Sequence, residues 1–98
     1  MVRILGLDPG LRITGWGVID IKGSQLSLVG HGTIKSSSEK PLSERLAQLH
    51  QGLLKIIETY DPQEVSVEEV FLNKNPHSTL KLGMARGSIL LAPAIFNL

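Results

Sequence analysis

The sequence predicts an α/β domain with a mixed sheet in the order βββαβα. Three observations predict it. Three short apolar or alternating segments lead the chain, separated by glycine-containing turns. A long stripe of leucine and isoleucine at helical spacing follows them. A further apolar strand then opens into a second helical pattern, which implies a right-handed crossover back to the sheet.

Val2 to Leu7 is apolar without alternation, as expected of a strand buried at the centre of a sheet. Pro9-Gly10 is a turn signal. Ile13 to Ile21 is a second strand, with Ile13, Gly15, Gly17, Ile19 and Ile21 on one face. Lys22-Gly23-Ser24 turns the chain into a third strand, Leu26 to Ile34. There Leu26, Leu28 and Ile34 are expected on one face, with Ser27, His31 and Thr33 on the other. Ser36-Ser37-Ser38 is a short polar linker, and Pro41 suits the first turn of a helix. Leu42, Leu46, Leu49, Leu53, Ile56 and Tyr60 form one apolar stripe, ended by Asp61-Pro62. Val65 to Phe71 is the fourth strand. Asn75-Pro76 supplies an N-cap and first-turn proline for a second helix. Leu80, Met84, Gly87 and Leu91 are expected to mark its buried face, while Gly83 and Gly87 allow another backbone close by.

Composition sets bounds. The 98 residues make one domain, 1–98, whose core must be aliphatic because aromatic residues are 4% of the chain. A net charge of +1 gives no bulk argument for a polyanion partner. The lack of cysteine excludes disulfides, thiolate metal sites and thiol catalysis. Arg3 and Asp8 interrupt the N-terminal apolar stretch, so it does not read as a signal peptide. The run Ser88 to Leu98 is too short to span a bilayer and contains Pro93, so a cytoplasmic protein without a membrane partner is expected.

Two acidic centres stand where apolar strands end. A carboxylate such as Asp8 is costly on a buried strand unless paired, hydrogen-bonded or bound to a cation. At a strand end it can face a crevice, where α/β sheets place ligands. It can equally serve the Pro9-Gly10 turn by accepting backbone N–H groups. Glu68-Glu69 ends the fourth strand, and no Asp or Glu follows it. Strand alternation sends one of these glutamates to each face, and parity alone leaves open which one joins Asp8. Two acids on neighbouring strand ends suit Mg²⁺, which takes oxygen ligands from one or two carboxylates plus substrate phosphates. Phe71 fits either a core position or an aromatic surface for bases. Lys74 and Lys81, seven residues apart, share a helical face that is either solvated or phosphate-binding. Asp8-x-Gly10 with Gly15 and Gly17 also resembles the first phosphate-binding hairpin of actin-like and sugar-kinase ATPases, although the chain has no room for their second phosphate loop.

Three stretches, Ile4 to Ile19, Val67 to Phe71 and Asn73 to Gly87, together resemble the RuvC family of bacterial Holliday-junction resolvases. The resemblance implies a ribonuclease-H-like fold and a homodimeric endonuclease using two Mg²⁺ per site on four-way DNA junctions. It also implies work in recombination and repair beside the RuvAB branch-migration motor. On it, Asp8 and Glu68 match catalytic, metal-binding carboxylates, with Glu69 left outside. Phe71, Asn73, Lys74, Asn75 and Lys81 match the DNA-facing region, and Leu80, Gly83, Met84 and Gly87 the dimer-forming helix.

The resemblance runs to about Ala92, and from Pro93 it is expected to fade. Family members continue with a further strand, further helices and a C-terminal helix bearing two more metal-site residues. The expectation is therefore a C-terminally truncated domain lacking those elements. Such a domain has an incomplete metal site, bare apolar surface and little or no cleavage activity. A non-catalytic junction-binding or dimerising fragment is the alternative.

Overall fold

The computed structural model describes residues 1–68 and 76–98. Among these, β1 (Val2–Asp8), β2 (Ile13–Lys22) and β3 (Gln25–Lys35) precede α1 (Leu42–Tyr60), β4 (Glu64–Val67) and α2 (Pro76–Ile95). The sheet order is β3-β2-β1-β4. β1 pairs antiparallel with β2 and parallel with β4, and β2 pairs antiparallel with β3. β1, apolar from Ile4 to Leu7, thus occupies an interior position with both edges bonded, as that composition demands. The part of the fourth strand expected beyond Glu68 lies outside the described residues.

Both helices pack on one face of the sheet. Leu5, Leu7, Val18, Leu53, Ile57, Ile89 and Ala92 form the buried cluster, with Trp16, Ile34, Val65, Val67 and Phe96 against it. The alternating residues Ile4, Gly6 and Asp8, with their partners Ile19, Gly17 and Gly15, belong to the opposite, open face. The isoleucine face of β2 is therefore the open one, and Thr14, Trp16 and Val18 face the core.

β3 departs from the expected alternation. Gly30 pairs with Val18 but Leu28 pairs with Ile19, leaving Val29 as a bulged residue. One extra residue reverses the parity of everything beyond it. Leu26 and Leu28 consequently lie on the open face, 69% and 66% exposed, while Ile34 packs against the core. These three residues do not share a face.

Of the α1 stripe, Leu49 and Leu53 are buried and Leu42, Leu46, Ile56 and Tyr60 are half-buried; the third buried residue of the helix is Ile57, next to the expected Ile56. Pro41 takes the N-cap position just before the first turn, with φ −58° and ψ 152°. Asp61 closes the helix in the left-handed region at φ 48°, its N–H bonded to the Ile57 carbonyl at 2.8 Å. Gly52 faces Ile34 of β3 so closely that a Cβ there would fall 2.7 Å from its Cγ2.

α2 presents a different face from the one expected. Its buried residues are Ala85, Ile89, Ala92 and Pro93. Leu80, Met84 and Leu91 are exposed, at 62%, 47% and 56%, and Gly87 is exposed too. Small residues win the inward face because α2 lies close along α1. Ser88 Oγ donates to the Leu46 carbonyl at 2.9 Å, and His50 Nδ1 lies 2.9 Å from the Ser88 carbonyl oxygen. His50 is thus a helix-bridging residue.

Candidate active site

Asp8 is the last residue of β1 and lies opposite Gly15 of β2. Beyond β4, the Glu68 N–H donates to the Leu7 carbonyl at 2.9 Å, which continues the parallel ladder and sets Glu68 beside Asp8. Val65 and Val67 face the core alongside Leu5 and Leu7, so Ser66 and Glu68 take the open face with Gly6 and Asp8. Neighbouring strands stand about 4.8 Å apart, so the two acids leave adjacent backbones on the same side. Both are exposed. Among the described residues neither makes a side-chain hydrogen bond or ion pair. Glu69 lies outside the described residues.

The turn after Asp8 is built from buried polar groups. Fully buried Thr14 donates its hydroxyl to the Gly10 carbonyl at 2.8 Å and accepts the Gly10 N–H at 3.2 Å. A Cβ at residue 10 would run into the Ile13 carbonyl oxygen, so the turn requires glycine. Ser36 holds the next two residues: its hydroxyl donates to the Leu11 carbonyl at 2.6 Å and its N–H to the Arg12 carbonyl at 3.1 Å. Arg45 Nε from α1 donates to that hydroxyl at 3.0 Å. The serine run expected to be a plain linker thus ties the Asp8 turn to α1. Buried hydroxyls beside a Pro-Gly turn were the signal, but turn serines and threonines are too common to single out from sequence.

The donor set fits a hard divalent cation: two adjacent carboxylates, open to solvent and, among the described residues, unengaged by any protein cation. Among the described residues no group of three or more His, Asp or Glu converges to hold a metal. At the other end of the sheet the charge is already spent. Arg3 Nε and Nη2 donate to Asp20 at 2.8 and 3.0 Å, and Nη1 donates to the Tyr60 carbonyl at 2.9 Å. The hydrogen bond to Asp20 raises the Arg3 pKa, and the same bond holds the Asp20 carboxyl below its usual range. A cavity of about 290 Å³ beside Arg3, Tyr60 and Gln63 therefore offers no free guanidinium to a ligand.

Of the other residues singled out in the sequence, Phe71, Asn73, Lys74 and Asn75 lie outside the described residues. Lys81 is exposed on α2. Leu80, Gly83, Met84 and Gly87 are exposed on the same helix, and a Cβ at either glycine would meet open space. No described helix is long and apolar enough to cross a membrane.

The family model for crossover junction endodeoxyribonuclease RuvC matches residues 4–96. The match runs past Pro93, which α2 accommodates as a buried residue, so the expected loss of resemblance there does not occur. A crossover junction endodeoxyribonuclease RuvC of Xanthobacter autotrophicus is 62% identical over 97 residues, which cover 99% of this chain and 57% of that protein. One from Rhodospirillum rubrum is 54% identical with the same coverage. The chain thus spans just over half the length of these relatives. Thermus thermophilus RuvC, solved with a Holliday junction substrate, superposes with a TM-score of 0.90 at 26% identity, covering 100% of this chain and 61% of that one. The fold is the ribonuclease-H-like fold of RuvC, here as a mixed sheet with two helices.

Proposed function

This chain belongs to the crossover junction endodeoxyribonuclease RuvC family, and on that premise we propose that it carries part of a Mg²⁺-dependent site for cleaving four-way DNA junctions in recombination and repair. The observation that carries this reading is the pairing of Asp8 and Glu68 on adjacent strand ends, on one face. Asp8 and Glu68 would hold the metal through carboxylate oxygens. Bound there, a divalent cation activates water and stabilises charge on the leaving oxygen of a phosphodiester. Thr14 and Ser36 fix the backbone of the turn that follows Asp8, which holds the end of β1 in place before substrate arrives. Gly15 and Gly17 add no side chains to the open face beside Asp8, which leaves room for a nucleic-acid backbone. The cytoplasm, a homodimeric state and cooperation with the RuvAB motor belong to the same reading.

Two ions need more oxygen ligands than two side chains provide. These 98 residues by themselves therefore hold one ion loosely and nick junctions very slowly. The test pairs Mn²⁺ titration with incubation on a synthetic four-way junction in Mg²⁺. Metal binding should weaken in Asp8→Asn and in Glu68→Gln. Unchanged binding in the double variant would sink the site. Fast symmetric nicking that Asp8→Asn abolishes would uphold the site and refute the slowness.

A second reading is favoured by the exposed apolar face of α2: a non-catalytic unit that binds junctions or pairs with other subunits. Junction binding in a gel shift, without metal-dependent nicking at any protein concentration, would select it.

A further inference from the structure

We propose that Arg12 and Lys35 form a phosphate-contacting rim on the DNA path, set apart from the carboxylate pair. The inference rests on the nuclease reading above and deepens it. β1, β3 and β4 run parallel, so their C-terminal ends bring Asp8, Lys35 and Glu68 to one edge of the sheet. Lys35 pairs with Ile13, in the same alternating set as Gly15, which places it on the open face with Asp8. Arg12 precedes Ile13, and its carbonyl accepts the N–H of Ser36, the residue after Lys35, at 3.1 Å. The backbone therefore fixes two cationic residues as neighbours.

Both side chains are exposed, and among the described residues neither makes a hydrogen bond or ion pair. Arg3 shows the contrast, since Asp20 neutralises it at the far end of the sheet. Adjacent unneutralised cations repel one another, and a bound polyanion relieves that repulsion while releasing its counterions. The edge thus has an acidic half on β1 and β4, suited to a metal, and a basic half on β2 and β3, suited to phosphate. Lys35 lies two strands across from Asp8 and two residues farther along β3 than Thr33, so about 12 Å separates the two backbones at the usual strand spacing and rise. The rim therefore meets a phosphate other than the one facing the carboxylates. Gly15 lies between Asp8 and Thr33 along this path and leaves it clear.

The test is equilibrium binding of a synthetic four-way junction across a salt series, for the unaltered protein and for Arg12→Gln, Lys35→Gln and Lys22→Gln. Lys22 is exposed at the opposite end of β2 and controls for bulk charge. Each rim variant should reduce the slope of log K against log salt by about one, and Lys22→Gln should leave it unchanged. Arg12 contributes only its backbone carbonyl to the fold contacts described, which glutamine retains; matching thermal melts verify this. Unchanged slopes in both rim variants overturn this inference alone, as does an equal loss in Lys22→Gln. Failure of the unaltered protein to bind junctions overturns the nuclease reading and the rim together.

Discussion

Gly30 of β3 lies directly beneath the Tyr60 ring of α1: a Cβ at residue 30 would stand 2.6 Å from the phenolic oxygen and 3.0 Å from Cζ. Two residues on, Gly32 gives the Trp16 indole the same clearance, with Cζ2 at 3.0 Å. The two rings meet at 5.4 Å between centroids and 47° between planes. Gly30→Ala should overpack this seat and cost about 1–3 kcal/mol in urea-unfolding measurements. Tyr60→Phe removes the nearest atom, so the Gly30→Ala penalty should shrink in that background. A double-mutant cycle showing no coupling would mean the ring is free to move aside.

Thr14 is the buried group nearest the Asp8 turn with both its donor and its acceptor engaged. Thr14→Val keeps the shape but strands the Gly10 N–H and carbonyl, at a cost of about 1–3 kcal/mol. Mn²⁺ affinity should fall with it, because the turn that carries Asp8 loosens. Thr14→Ser restores the hydroxyl and should recover metal affinity ahead of stability. Metal binding that tracks stability alone in both variants would deny Thr14 any role in orienting Asp8.

The Arg3–Asp20 pair gives stability a defined pH dependence. Arg3 holds the Asp20 carboxyl below its unfolded pKa of roughly 3.9. The pair's contribution is therefore complete above that value and lost as pH falls through the lower, folded pKa. Thermal midpoints should be flat from neutrality down to about pH 5 and should drop below about pH 4. Asp20→Asn should lower the midpoint at neutral pH and flatten the acid limb. An identical acid limb in that variant would place the transition elsewhere.

What the sequence made legible follows from where local signals and tertiary packing agree. The α1 stripe, its stop at Asp61-Pro62 and the start of α2 at Pro76 emerged near the expected residues, because periodicity and proline chemistry act within one element. The faces of β3 and α2 did not. A single bulged residue, Val29, reversed the alternation of β3, and no residue in that strand announces it. On α2 the larger apolar residues suggested the buried face, but close approach to α1 selected Ala85 and Ala92. Asp8 and the glutamate pair were visible as strand-end acids. Their relative placement required the β1–β4 register, which is a non-local property.

That inversion on α2 supplies a test of the dimer reading. Leu80, Met84 and Leu91 remain exposed although the helix already buries Ala85, Ile89 and Ala92, and the exposed Gly83 and Gly87 beside them admit a close neighbour. If a second copy covers this face, Met84→Glu should convert the protein to a monomer in sedimentation equilibrium while leaving monomer stability within about 0.5 kcal/mol, as for surface substitutions generally. Ala85→Leu should do the reverse. Ala85 is fully buried, so the added atoms force α2 off the core and cost about 1–3 kcal/mol, whatever the assembly state. A protein that stays monomeric at high concentration without either change would remove the second copy as the partner of this face. Loss of folding in Met84→Glu would instead show that Met84 contributes to the monomer core, contrary to its exposure.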